Sequence, residues 1–194
     1  MLRIVNVEEI ERLLIGATKL TDQLETESGS YETEVRDWLL SLEQALENNR
    51  LPVVSQVAGM RGLLISVERG LVPKHIEIRG RPTRRKVLKA TSTDALRQAC
   101  DLVLDAIRQD RHRLDEAERL CQQVVAHARA RNLIPENPPS DVEATEYLRG
   151  VWSRLTKDPD LCQSTTHLLG LLGPHDVLVV LDRRMTADSN NPTL

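Results

Sequence analysis

The chain has 194 residues and a formal net charge of −3; 40% of its residues are hydrophobic, 28% charged and 2% aromatic. With two Trp, two Tyr and no Phe, a core has to be built from Leu, Val, Ile and Ala, which suits helix-on-helix packing better than a β-sandwich. The mild acidity argues against binding nucleic acid by overall charge, and three cysteines in a chain of this size argue against a secreted disulfide framework.

No apolar run nears the ~20 residues that span a bilayer. Met1-Leu2-Arg3-Ile4 leads into Glu8 and Glu9 rather than into the apolar stretch of a signal peptide. A reducing cytoplasm is therefore the expected compartment.

The first expected helix covers residues 7–24, with Val7, Ile10, Leu14, Ala17 and Leu24 on one face. Gly29 and neighbouring hydroxyls mark a turn. A second helix, 31–47, carries Val35, Trp38, Leu39, Leu42 and Leu46; Asn48-Asn49-Arg50-Leu51-Pro52 stops it and restarts the chain. A third, 52–69, carries Val53, Val57, Met60, Leu64 and Val67, with Gly70 as the residue that ends it. Short loops make these three antiparallel neighbours in a region spanning 1–70.

Residues 71–92 differ. Lys74, Arg79, Arg81, Arg84, Arg85, Lys86 and Lys89 are accompanied by one acid, Glu77, a local charge of +6 against −9 for the rest of the chain. Ile76 and Ile78 alternate with charged residues, and Gly80 and Pro82 lie between them and Val87. Two readings stand: a small β-hairpin, 74–79 against 85–90, or an extended basic loop.

Ser92 and Thr93 then offer an N-cap for a long helix, 93–133. Its stripe reads Leu96, Cys100, Val103, Ile107, Asp110, Leu114, Ala117, Cys121, Val124, Ala128, at alternating intervals of 4 and 3, a heptad pattern. Such a helix is roughly 60 Å long at 1.5 Å per residue. No single one of the preceding helices covers that length: either they stack end to end along it within one chain, or part of the stripe faces a partner protein or a second copy of the chain. The expected contact residues are Leu96, Val103, Ile107, Asp110, Leu114 and Val124.

Asp110 is the exception in the stripe, since a buried carboxylate is costly unless paired. Arg108, Arg111 and Arg113 are near in sequence but are expected to point elsewhere. Three explanations compete: the seam opens at Asp110, a basic side chain from a partner meets it, or the helix bends or breaks there; the first or third is expected, leaving 95–107 and 114–128 as two packing surfaces. Cys100 and Cys121 lie about 31 Å apart on a straight helix, too far to bridge, and read as small buried hydrophobes.

Asn132 and Pro135-Glu136-Asn137-Pro138-Pro139 end the long helix. Ser140 can cap a further helix, 141–155, and a short one follows Asp158-Pro159 towards Leu172. Gly173-Pro174 breaks it, and the run 177–181 reads as a buried strand, giving a small helical and strand region over 140–182. The tail, 186–194, is expected to be disordered. The fold class is thus mainly α, a helical bundle around one long helix with a basic loop or small β-hairpin and a short C-terminal strand.

Arg79-Gly80-Arg81-Pro82, followed by Arg84, Arg85 and Lys86, resembles the core of an AT-hook. There Gly permits close approach to the minor-groove floor, arginines reach along the groove and Pro keeps the backbone extended. The resemblance covers about eight residues, and the extra basic residue usual just upstream is replaced by Glu77 and Ile78. As a hairpin, the segment would instead resemble a basic β-wing lying along phosphates. Both imply contact by charge rather than by base stacking.

Chemistry is sparse. His75, His112, His127, His167 and His175 show no zinc spacing. Cys162 and His167, five apart, fall on different helix faces. Ser164-Thr165-Thr166-His167 lacks a carboxylate partner, and Gly170 and Gly173 are not followed by the Lys-Ser/Thr of a phosphate loop. The expectation is a non-catalytic helical subunit or adaptor of a larger cytoplasmic assembly, touching DNA through the basic segment. It would have no metal, cofactor, membrane contact or small-molecule substrate. The alternative is a protein–protein scaffold or homodimer whose basic loop docks on an acidic partner.

Overall fold

The helix-favouring palette of Leu, Ala and Val yields seven helices among the residues described in a computed structural model, namely 1–25, 29–76, 83–135 and 143–189. They are α1 (Ile4–Glu25), α2 (Tyr31–Asn48), α3 (Val54–Glu68), α4 (Arg84–Ala130), α5 (Ala144–Lys157), α6 (Cys162–Leu172) and α7 (Pro174–Ser189). The chain is mainly helical, and no strand occurs among the described residues. The helices gather into two compact units, Met1–Arg108 and Gln109–Leu194. The expected description of one bundle around one long helix therefore does not carry over: each unit takes its own share of α4.

In the first unit α1 packs on α2 and α2 on α3. Val7, Ile10 and Leu20 of α1, Val35, Leu39, Leu42 and Leu46 of α2, and Val57, Leu64 and Val67 of α3 are buried, the apolar stripes that period 3.6 demands. Trp38 closes the α1–α2 contact: its indole N–H donates to the Leu13 carbonyl at 2.7 Å. Half-buried ion pairs tie α3 to α2, with Arg36 to Glu68 at 3.0 Å and Arg61 to Glu43 at 2.7 Å.

Three helices end in the same way. After α3, Gly70 adopts φ 105°, its N–H donates to the Val67 carbonyl, and the Leu71 N–H donates to Ser66. This Schellman arrangement satisfies carbonyls the helix itself leaves open. Arg50 (φ 54°) closes α2 and Asn132 (φ 56°) closes α4 with equivalent bonds, Leu51 N–H to Leu46 and Leu133 N–H to Ala128.

In the second unit α5, α6 and α7 pack on one another. Val151, Leu155, Leu168, Val177, Val180 and Leu181 are buried, as are Ala117, Cys121, Val124 and Val125 from its part of α4. Arg184 reaches Glu118 at 2.5 Å, and Arg129 donates to the Met185 carbonyl at 3.1 Å. Arg131 bridges Asp158 and Asp160 at 2.7 and 2.6 Å.

The expected strand at 177–181 is instead part of α7. Gly173 (φ 77°) and Pro174 start that helix. Its buried residues Val177, Val180 and Leu181 fall at i, i+3 and i+4, whereas Val179 is 37% exposed. A lone strand has no partner for its backbone, while a helix satisfies its own hydrogen bonds. The expected disordered tail is corrected in part, because α7 continues through Ser189; residues 190–194 lie outside the described residues.

The hairpin reading of 71–92 is also corrected. Residues 84–92 belong to α4, so the proposed second strand, 85–90, is helical; residues 77–82 lie outside the described residues. Ser92 and Thr93 do not cap. The Thr93 hydroxyl donates to the Lys89 carbonyl at 2.9 Å, and Thr91 does the same to Val87 at 2.8 Å, the back-bonding of hydroxyls within a helix.

Candidate nucleic-acid interface

α4 starts nine residues before the position expected because Thr83 serves as its cap. The Thr83 Oγ1 accepts from the Lys86 N–H at 3.3 Å, and its carbonyl accepts from the Val87 N–H at 3.0 Å. The signal was present in the sequence as a hydroxyl residue directly after Pro82.

This cap places Arg84, Arg85 and Lys86 in the first helical turn, where no acidic residue accompanies them. All three are exposed. The N-terminal end of a helix carries positive partial charge and unsatisfied N–H groups, so cations there oppose the helix's own field, while an anion relieves it.

Among the described residues no carboxylate pairs with these three side chains. Arg84 donates to the backbone carbonyl of Glu68, the last residue of α3. The Glu68 carboxylate is itself held by Arg36. Asp94, further along α4, is occupied by Arg97 at 2.9 Å and by Gln98 at 2.7 Å. Lys74 is exposed in the turn after α3, and Lys89 is half-buried one turn into α4. Of the seven basic residues expected to act together, the structure thus brings Arg84, Arg85 and Lys86 into one turn. Arg79 and Arg81, with the rest of the AT-hook-like core, lie outside the described residues.

The long-helix contact residues are placed differently from expectation. Leu96, Val103, Ile107 and Val124 are buried within the chain and Leu114 is half-buried. The four buried side chains are covered by the chain itself, along a helix whose residues are divided between the two units. Cover from within the chain, the other reading of the stripe, accounts for this burial.

Asp110 is corrected as well. Arg113, one turn on, turns back to it at 2.9 Å, and its other nitrogen donates to the Leu171 carbonyl at 2.5 Å. The carboxylate is therefore paired and only half-buried, and residues 84–130 are helical throughout.

The nucleophile-like groups are engaged separately. The Cys162 Sγ lies 3.2 Å from the Pro159 carbonyl, whereas His167 faces Glu116 at 3.6 Å. The Thr165 and Thr166 hydroxyls donate to carbonyls one turn back. Burial pushes the Cys121 thiol up to about 11 and raises that of Cys100, which keeps both as neutral, unreactive thiols. Among the described residues no three His, Cys, Asp or Glu side chains gather as a metal site requires, and no helix is long and apolar enough to cross a membrane.

No protein-family model matches the chain, and no curated protein or solved structure is significantly similar to it.

Proposed function

We propose that this protein is a non-catalytic helical adaptor that contacts duplex DNA through the basic start of α4. The observation that carries the reading is the first turn of α4: Arg84, Arg85 and Lys86 exposed together, with no acid among them, on a helix end that already favours anions. Lys74 adds a further exposed charge before that turn. Phosphate is the anion that DNA presents at regular spacing, and contacts of this kind grip the backbone with little base specificity. The separate engagements of Cys162 and His167 support the non-catalytic part.

The test is fluorescence anisotropy with an A·T-rich duplex at two salt concentrations, comparing the natural chain with Arg85→Ala/Lys86→Ala. Arg84 is left in place because its bond to the Glu68 carbonyl also anchors the helix start. The expected outcome is salt-dependent binding whose logarithmic salt slope falls by about 2 in the double variant, near 0.9 per lost phosphate contact. Identical binding by both proteins, or none by the natural chain, refutes the reading.

A further inference from the structure

Where α5 meets α7 in the second unit, the two helices leave a cleft of about 410 Å³. α5 lines it with Arg149, Trp152, Ser153 and Thr156, and α7 contributes Pro174, His175 and Leu178. The α5 residues fall at i, i+3, i+4 and i+7, one continuous helix face. The opposite face of the same helix places Val151 and Leu155 in the core. α5 is therefore two-sided, and its outer side carries a half-buried tryptophan in a chain with only two.

The Thr156 hydroxyl donates to the Ser153 carbonyl at 3.1 Å, but the two larger polar groups of the cleft, Trp152 and Arg149, lack such partners. Trp38 spends its indole N–H on the Leu13 carbonyl; among the described residues the Trp152 indole has no acceptor. Arg113, Arg131 and Arg184 of the same unit are each paired with a carboxylate; among the described residues Arg149 is not. His175 stands in the first turn of α7, and among the described residues no acidic side chain lines the cleft: its neighbour Asp176 is buried away from solvent.

An aromatic face, a free guanidinium, an imidazole and two hydroxyl residues, with no carboxylate, favour a ligand that is both planar and anionic. The volume lies within the ~300–1,000 Å³ of small-molecule sites. We propose that the α5–α7 cleft binds a small aromatic anion of mononucleotide size. Its ring stacks on Trp152, and its phosphate or carboxylate meets Arg149 and His175. The proposal is independent of the DNA-contacting reading of α4.

The two tryptophans supply the test. The ¹⁵N-labelled full chain gives two indole N–H signals, assigned by Trp152→Phe, and is titrated with adenosine monophosphate and, separately, with 2-naphthoate. The expected result is a saturable shift of the Trp152 signal by at least one of them, with Trp38 unmoved. Arg149→Ala weakens that binding by about tenfold or more, and uncharged adenosine binds at least about tenfold more weakly than its monophosphate, as loss of a charge-assisted pair requires. A shift by the phosphate alone or by the carboxylate alone names the preferred anion and supports the proposal. No saturable shift from either up to about 10 mM, equal binding of adenosine, or unchanged binding to the Arg149→Ala chain overturns it; Arg149 is exposed, and an unmoved Trp38 signal together with unchanged far-UV circular dichroism verifies that this variant is folded.

Discussion

The two ends of α4 carry basic residues with opposite physical consequences. At the C-terminal end His127 and Arg129 occupy the last turn, and Arg131 follows, clamped by Asp158 and Asp160. The two arginines complement the negative end of the helix and are partnered within their unit, Arg129 by the Met185 carbonyl and Arg131 by its two carboxylates. At the N-terminal end Arg84, Arg85 and Lys86 oppose the positive end and remain exposed. A cation that matches its helix end and finds a carboxylate supports the fold; one that opposes its helix end and, among the described residues, finds none is held at a local cost to the fold.

Three substitutions test whether the ends of α4 differ in this way. The largest effect concerns the stretch between the ends, where the buried stripe makes α4 a core helix. Ile107→Ala removes a fully buried side chain and should cost about 2–5 kcal/mol in urea denaturation, independent of protein concentration. A loss that grows on dilution would return the stripe to an interface between chains.

Arg131→Ala should cost about 1–2 kcal/mol, because it strips the C-terminal end of a favourable charge and leaves the largely buried Asp158 carboxylate without its partner. No change in the denaturation midpoint would remove the contrast with the other end.

Arg85→Glu should act with the opposite sign and be the smallest, a gain of about 0.5 kcal/mol as an acid replaces a cation in the first turn. The same substitution should weaken duplex binding. Stabilisation together with lost binding is the signature of charge kept for function; destabilisation would mean that Arg85 serves the fold.

The sequence was read most accurately where local chemistry suffices. The stripes of α1, α2 and α3 follow their 3.6 period, and their observed bounds fall within a few residues of those expected. Gly70 and Asn132 end their helices through left-handed geometry that Gly and Asn tolerate. Of the basic surface, the charge cluster was legible but its support was not, since Thr83 capping a helix at Arg84 looks in sequence like the end of a basic loop. The α5–α7 cleft was missed because Arg149, Trp152 and His175 lie on two helices, and the residues now in α7 were assigned to a strand.

The helical class, the places where helices stop and the uneven charge are legible in the residue order, because each depends on neighbours a few residues apart. Only the tertiary structure decided that α4 is shared between two units, that Asp110 is answered by Arg113 as that side chain also reaches Leu171, and that the run 177–181 is helical. A heptad stripe reports that a face is covered, but says nothing of whether the cover comes from the same chain or another. That choice rests on contacts between residues distant in sequence, and Leu96, Val103, Ile107 and Val124 are covered by their own chain.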